Sequence, residues 1–201
     1  MMNIPRITVA DVQSKLNTVN WSLIDIPKTN KGGRGQLIEN VLGIPNSSAL
    51  MDLADGELKT FTVGESIACT QLNHCLDEIA NETSFARSKL GMKMSQTIYI
   101  GFDKRTGQCK GNVTTNEVTH PEHHQHLQED YEFISAKVRL AMKRGTEITT
   151  INGPNRLLQI RTKASKNPRT GLYAPLMFNG KMLKNKGMAF YLHASFGNKL
   201  M

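Results

Sequence analysis

The residues best suited to chemistry are concentrated in one short segment, Met51-Asp52-Leu53-Ala54-Asp55-Gly56-Glu57-Leu58-Lys59-Thr60-Phe61. Asp-Gly between apolar-containing runs is a hairpin signal, so the spacing predicts a strand pair over 50–61 turning at Asp55-Gly56. With that turn, Leu53 faces Leu58 and Asp52 faces Lys59. Side chains alternate across a strand, which puts Asp52, Glu57 and Lys59 on one face and the two leucines on the other. Two carboxylates held together suit a hard divalent cation such as Mg²⁺, whose remaining positions go to water and a substrate phosphate. A lysine beside them can orient the attacking water and balance negative charge. Taken alone, the same triplet is also what an ordinary surface hairpin carries.

Other reactive side chains form weaker patterns. His120, His123, His124 and His126 crowd the start of one helical pattern. Zinc sites draw ligands from more than one element, so a solvated helix start is the better reading. Cys69, Cys75 and Cys109 lack CxxC spacing and are odd in number, which argues against a disulfide framework. Cys69 and Cys75 with His74 have no third residue to orient a thiolate, and buried thiols are expected. Gly32-Gly33-Arg34-Gly35 could cradle phosphate, but it lacks the Gly-Lys-Ser/Thr ending of a nucleotide-binding loop.

The elements that must position these groups follow from the apolar pattern. Thr8 with Asp11 caps a short helix bearing Val12, Leu16 and Val19. A flexible basic loop over 31–35 runs into a helix with Leu37, Ile38, Val41 and Leu42, stopped by Gly43 and Pro45. Leu72, Cys75, Leu76 and Ile79 recur at helical spacing. Thr97–Phe102 reads as a central strand. The clearest helix is 121–144, with Pro121 at its start, Leu127, Tyr131, Ile134, Val138 and Ala141 as one stripe, and Gly145 after it. Strands are expected over 147–151, 157–161 and 188–192. Without regular strand–helix alternation, the fold class is α/β or α+β with a mixed central sheet flanked by helices.

Composition sets the frame. The chain has 201 residues, enough to bury a core in one domain or a domain with a lobe. Lys and Arg outnumber Asp and Glu by 25 to 17, a net charge of +8 that favours polyanions. The excess is uneven: from Arg156 to Lys199 there is no Asp or Glu. Such a stretch suits a nucleic-acid cleft. No apolar run approaches a membrane span and the N-terminus has no signal-peptide core, so a soluble, cytoplasmic protein with no membrane partner is expected.

Asp-x(n)-Glu-x-Lys is the signature of restriction-endonuclease-like nucleases, and the flanking sequence resembles one branch, the MutH family. Lys31-Gly32 with Glu39 is similar to that family's helix lysine and glutamate. Glu57-Leu58-Lys59-Thr60 matches its core motif. Glu82-Thr83-Ser84 with Arg87 and Lys89 resembles its next block, which ends in a further active-site lysine. Leu127-Gln128-Glu129-Asp130-Tyr131 looks like its long helix. Leu158–Ala164 and Phe190-Tyr191-Leu192 resemble its two DNA-contacting blocks. Six blocks stand in register. Two departures matter: the family's first aspartate usually stands further ahead of the glutamate, leaving Asp52 or Asp55 for the role, and His193-Ala194-Ser195 follows the last block instead of basic residues.

The resemblance implies a single nuclease domain over 1–201, with an N-terminal lobe (about 1–50) and a C-terminal DNA-recognition part (about 146–201). It implies a Mg²⁺-dependent, sequence-specific endonuclease, Mn²⁺ substituting, acting on double-stranded DNA as a monomer, with protein activators if it serves repair. Asp52 is preferred over Asp55 because the expected hairpin places it beside Glu57. On this reading Asp52 and Glu57 hold the metal, Glu39 supports them, Lys59 orients water, and Lys31 and Lys89 hold charge near the scissile phosphate. The DNA-contacting set is Arg34, Ser84, Arg87, Arg161, Lys163 and Tyr191, with Arg161, Lys163 and Tyr191 toward base edges and Arg34 and Arg87 toward the backbone. The rival reading is a catalytically silent DNA-binding module of the same fold.

Overall fold

The computed structural model describes residues 6–27, 31–163, 166–167 and 169–201. Along the chain run α1 (Val9–Leu16), α2 (Lys31–Leu42), β1 (Glu57–Thr62), β2 (Ile67–Gln71), α3 (Leu76–Ala80), α4 (Lys89–Met94), β3 (Gln96–Phe102), β4 (Cys109–Asn116) and α5 (Pro121–Arg144). There follow β5 (Ile151–Asn152), β6 (Leu158–Thr162), β7 (Leu176–Phe178), β8 (Lys181–Lys184), β9 (Met188–Leu192) and α6 (Ala194–Leu200). The architecture is mixed α+β. Among the described residues no helix is long and apolar enough to cross a membrane. The chain divides into two compact units, one of residues up to 67, 92–121 and 194–201, the other of 68–91 and 122–193. The expected N-terminal lobe falls inside the first unit, whereas the expected C-terminal part is divided, 146–193 in the second unit and 194–201 in the first.

The first unit is built on the mixed sheet β1-β3-β4, in which β1 and β3 are parallel and β3 and β4 antiparallel. Central β3 has Ile98, Tyr99, Ile100 and Phe102 all buried, as its apolar, β-branched sequence predicts. Val9, Val12 and Leu16 of α1 and Ile38 and Leu42 of α2 close over Leu58, Ile98 and Phe102. The capping box of α1 forms: Asp11 N donates to Thr8 Oγ1, and Asp11 Oδ2 accepts from Thr8 N at 2.9 Å. Two expectations fail here. Residues 31–35 are the first turns of α2 and not a loop, because the buried Arg34, Ile38 and Leu42 anchor the helix and outweigh the low propensity of its glycines. The hairpin over 50–61 is also absent: residues 50–55 are a succession of bends, and β1 forms its ladder with β3, forty residues on.

The second unit holds the sheet β2-β9-β6-β5 and the long α5. The helix spans the expected residues, and Leu127, Tyr131, Ile134 and Val138 of its stripe are buried. Tyr131 carries the contact outward, its ring 5.5 Å from Phe85 and 6.0 Å from Phe190. The strand expected over 147–151 is limited to Ile151–Asn152, since Ile148 N is committed to Leu183 O. Cys69 and Cys75 are buried thiols, and no disulfide joins the three cysteines.

Candidate active site

Glu57 opens β1 and is 1 % exposed. A carboxylate this deep must be paired or hydrogen-bonded, and here it is both. Its Oε1 accepts from the ammonium of Lys59 on the same strand face and from Lys93 Nζ at 2.8 Å. Its Oε2 accepts from the backbone N of Asp52 at 3.2 Å. Lys59 is two residues along β1, so the strand's period of two supplies that contact directly.

Asp52 reaches the same place by another route than a hairpin. The guanidinium of Arg6 donates to the carbonyls of Met51 and Leu53 on either side of it, and the Leu53 side chain is fully buried. Leu53 N closes a tight turn onto Gly56 O at 3.0 Å. Asp52 Oδ2 then accepts from Leu58 N at 3.2 Å. The side chain thus takes the backbone donor that a hairpin partner would have taken. Asp55, the rival for the role, is committed elsewhere: its Oδ1 caps the start of α1 by accepting from Val9 N at 2.7 Å. Gly56 is held where a Cβ would lie 2.6 Å from Val9 Cγ2 and 2.7 Å from Gln96 O.

Glu39 on α2 completes the acidic side. Burial first, then the nearby Asp52, raises its carboxyl above the ordinary value. Burial and then Glu57 raise that of Asp52, with Lys59 opposing. Burial is the main cause of both shifts and the neighbouring carboxylates add to it, and a divalent cation would favour the charged forms against both. The donor set fits such an ion: carboxylate oxygens from Asp52 and Glu57, hard ligands of the kind Mg²⁺ takes one or two at a time. Among the described residues no three His, Cys, Asp or Glu side chains are grouped to hold a metal ion. The histidine run forms the start of α5 and the residue before it, with His120 Nδ1 2.8 Å from Thr119 Oγ1.

The remaining site residues are distributed unevenly. Lys31 begins α2, and its side chain lies outside the described residues. Lys89 belongs to the second unit, where its backbone N meets the Glu78 carboxylate at 3.1 Å and its Nζ donates to His74 O at 2.8 Å. The α4 lysine that reaches Glu57 is Lys93, one helical turn further. Sequence reasoning missed it because the block was read as ending at Lys89, although i, i+4 spacing puts both on one helix face. Arg6 was missed as well, having no motif around it.

Arg34 requires a correction: it is 2 % exposed, donates to Thr62 Oγ1 at 3.0 Å and stacks 5.0 Å from the Phe102 ring centroid, so it is a core residue and is not available to DNA. Ser84 and Arg87 are exposed, with Arg87 Nε 3.3 Å from Ser84 Oγ. On the β6–β9 pair, Ile160 and Phe190 are buried while Arg161 and Tyr191 are half-buried, as the alternation requires. The Arg161 guanidinium lies 4.2 Å from the Tyr191 ring centroid. Burial pushes the Tyr191 hydroxyl pKa up, and Arg161 opposes it. Lys163, just past β6, is exposed. A separate cavity of about 240 Å³ in the second unit, lined by Arg139, Lys143, Phe178 and Leu183 among others, shares no residue with the carboxylate cluster.

No protein-family model matches this chain, and no curated protein is significantly similar to it.

Proposed function

We propose that the chain is a Mg²⁺-dependent, sequence-specific DNA endonuclease of the MutH-like, restriction-endonuclease-like type. The observation that carries this reading is the buried Glu57, gripped by Lys59 and Lys93 on one oxygen and by the Asp52 backbone on the other. Surface hairpins have no need of such a cluster. A site that hydrolyses a phosphodiester needs carboxylates and ammonium groups side by side.

Asp52 and Glu57 would hold the metal, which when bound supplies charge neutralisation at the scissile phosphate. Glu39 adds negative charge behind Asp52. Lys59 orients the attacking water through its ammonium hydrogens, and Lys93 holds the Glu57 carboxylate in place. Water oxygen bonds to phosphorus as the P–O bond to one deoxyribose breaks, and the proton lost by water is balanced by the one the departing oxygen gains. Recognition falls to the other unit, where Arg161 and Tyr191 share one strand pair, Lys163 lies just past it, and all three offer donors suited to base edges. The net charge of +8 supports a polyanionic substrate.

Supercoiled plasmid incubated with the protein in Mg²⁺ should be converted to nicked or linear form, and EDTA should stop it. A protein that shifts plasmid mobility yet never cuts it in Mg²⁺ or Mn²⁺ is the silent DNA-binding module instead.

A further inference from the structure

We infer that the tip of the β5–β6 turn, Pro154-Asn155-Arg156, is a rigid DNA-reading element in which Arg156 contacts base edges and Asp130 is its positioning residue. The inference rests on the DNA reading above but on different residues.

Asp130, in the middle of α5, is fully buried, and among the described residues no ion pair reaches it. Its carboxylate is consumed by one loop: Oδ1 accepts from Asn155 N at 2.7 Å, and Oδ2 accepts from Leu157 N and Leu158 N, both at 2.8 Å. A carboxylate satisfied by three backbone donors is a strong, directional clamp. The loop is shaped to admit it. A Cβ on Gly153 would sit 2.1 Å from Asp130 Cγ, so only glycine fits. Gly153 N bonds Leu158 O at 2.9 Å and Arg156 N bonds Gly153 O at 3.0 Å, closing the tip upon itself.

The clamp holds an arginine in a conformation arginine disfavours. Arg156 has φ +53°, in the left-handed region where glycine is at ease. Its side chain is exposed, and no hydrogen bond or ion pair to another described residue uses its guanidinium. Backbone strain of this kind persists where the surroundings over-determine it, and it collects at binding and switch positions. The other tip residues are poor readers: Pro154 has no donor, and Asn155 Nδ2 is tied to Glu129 Oε2 at 2.8 Å. That leaves Arg156. A phosphate can be met by a long mobile side chain on any backbone. Bidentate contact with a guanine edge needs a fixed starting point, and the clamp provides one. Arg161 lies five positions beyond Arg156, at most about 16 Å at the rise of a strand, so the two would address different base pairs.

The test is cleavage of a randomised duplex library in Mg²⁺, with the cut ends sequenced, for wild type, Arg156→Gly, Asp130→Asn and Lys163→Ala. Glycine keeps the positive φ, so Arg156→Gly should unfold no earlier than wild type. Its discrimination should fall about 5- to 150-fold at one or two positions, different from those relaxed by Lys163→Ala. Asp130→Asn should relax the same positions as Arg156→Gly, and if it fails to fold, Arg156→Gly alone decides. A site profile unchanged in Arg156→Gly, or a slowing equal at every sequence, overturns the inference while leaving the nuclease reading intact. A wild-type protein that cuts no duplex removes both.

Discussion

At the level of single residues, the carboxyl of Asp52 is held above its ordinary value by burial first and by Glu57 second. The folded protein therefore binds a proton more tightly there than the unfolded chain does. Stability falls as pH rises from the ordinary carboxylate range through the raised value, and stays lowered above it. Asp52→Asn removes that cost while its amide oxygen can still accept from Leu58 N. The metal-free variant should melt about 2–5 °C higher than wild type at neutral pH. Mg²⁺ or Ca²⁺ should raise the melting temperature of wild type and not of the variant. Scanning calorimetry with and without the ion checks both, and equal stabilisation by the ion would remove Asp52 from the metal site. The two α4 lysines make a second contrast. Lys93→Ala leaves a buried carboxylate with one ammonium, and cleavage should slow about 100-fold or more. Lys89→Ala loses a bond to a carbonyl, and a loss under about tenfold in the same single-turnover assay is expected.

Among the elements, β1 carries the site and Gly56 sets where it starts. Gly56→Ala would drive a methyl into Val9 and the Gln96 carbonyl, displacing the start of β3 or α1. A loss of about 1–3 kcal/mol in urea unfolding is expected, with Glu57 displaced and cleavage reduced in proportion. That dependence was not legible beforehand. The Asp-Gly pair and alternating leucines read as a hairpin, and local pattern carries no sign that β3 offers a parallel partner forty residues away. Asp52 still joined Glu57, because Arg6 and the buried Leu53 fix the bend in place of a strand. Long periodic elements were legible to the residue: α5 and β9 begin and end where the apolar stripe and its punctuation say. Polar β4, Cys-Lys-Gly-Asn-Val-Thr-Thr-Asn, carries no such stripe and is a strand only because β3 pairs with it. Arg34 was misplaced for a related reason. A basic residue among glycines looks solvent-exposed until the helix it belongs to is seated on β1 and its guanidinium meets Thr62 and Phe102.

Over the whole molecule, the proposed catalytic and recognition residues would fall in different units. The carboxylates, Lys59 and Lys93 lie in the first, and Arg161, Lys163, Tyr191 and the Asp130-clamped tip lie in the second. The acid-free stretch from Arg156 to Lys199 also lies almost wholly in the second. Duplex affinity measured in Ca²⁺ should accordingly fall steeply with salt, by about 10³-fold between 50 and 200 mM for six or more phosphate contacts. A flat salt response would argue against DNA as the partner. The Glu57 cluster is proposed to perform metal-dependent hydrolysis. Its most direct test is single-turnover cleavage of one duplex in Mg²⁺ by wild type and Glu57→Gln, with binding of both measured in Ca²⁺. The glutamine retains the side chain's shape and loses its charge. Cleavage should drop by at least about 10³-fold with binding changed less than about tenfold. Glu57→Gln cutting as fast as wild type, or wild type cutting equally well in EDTA, would contradict it.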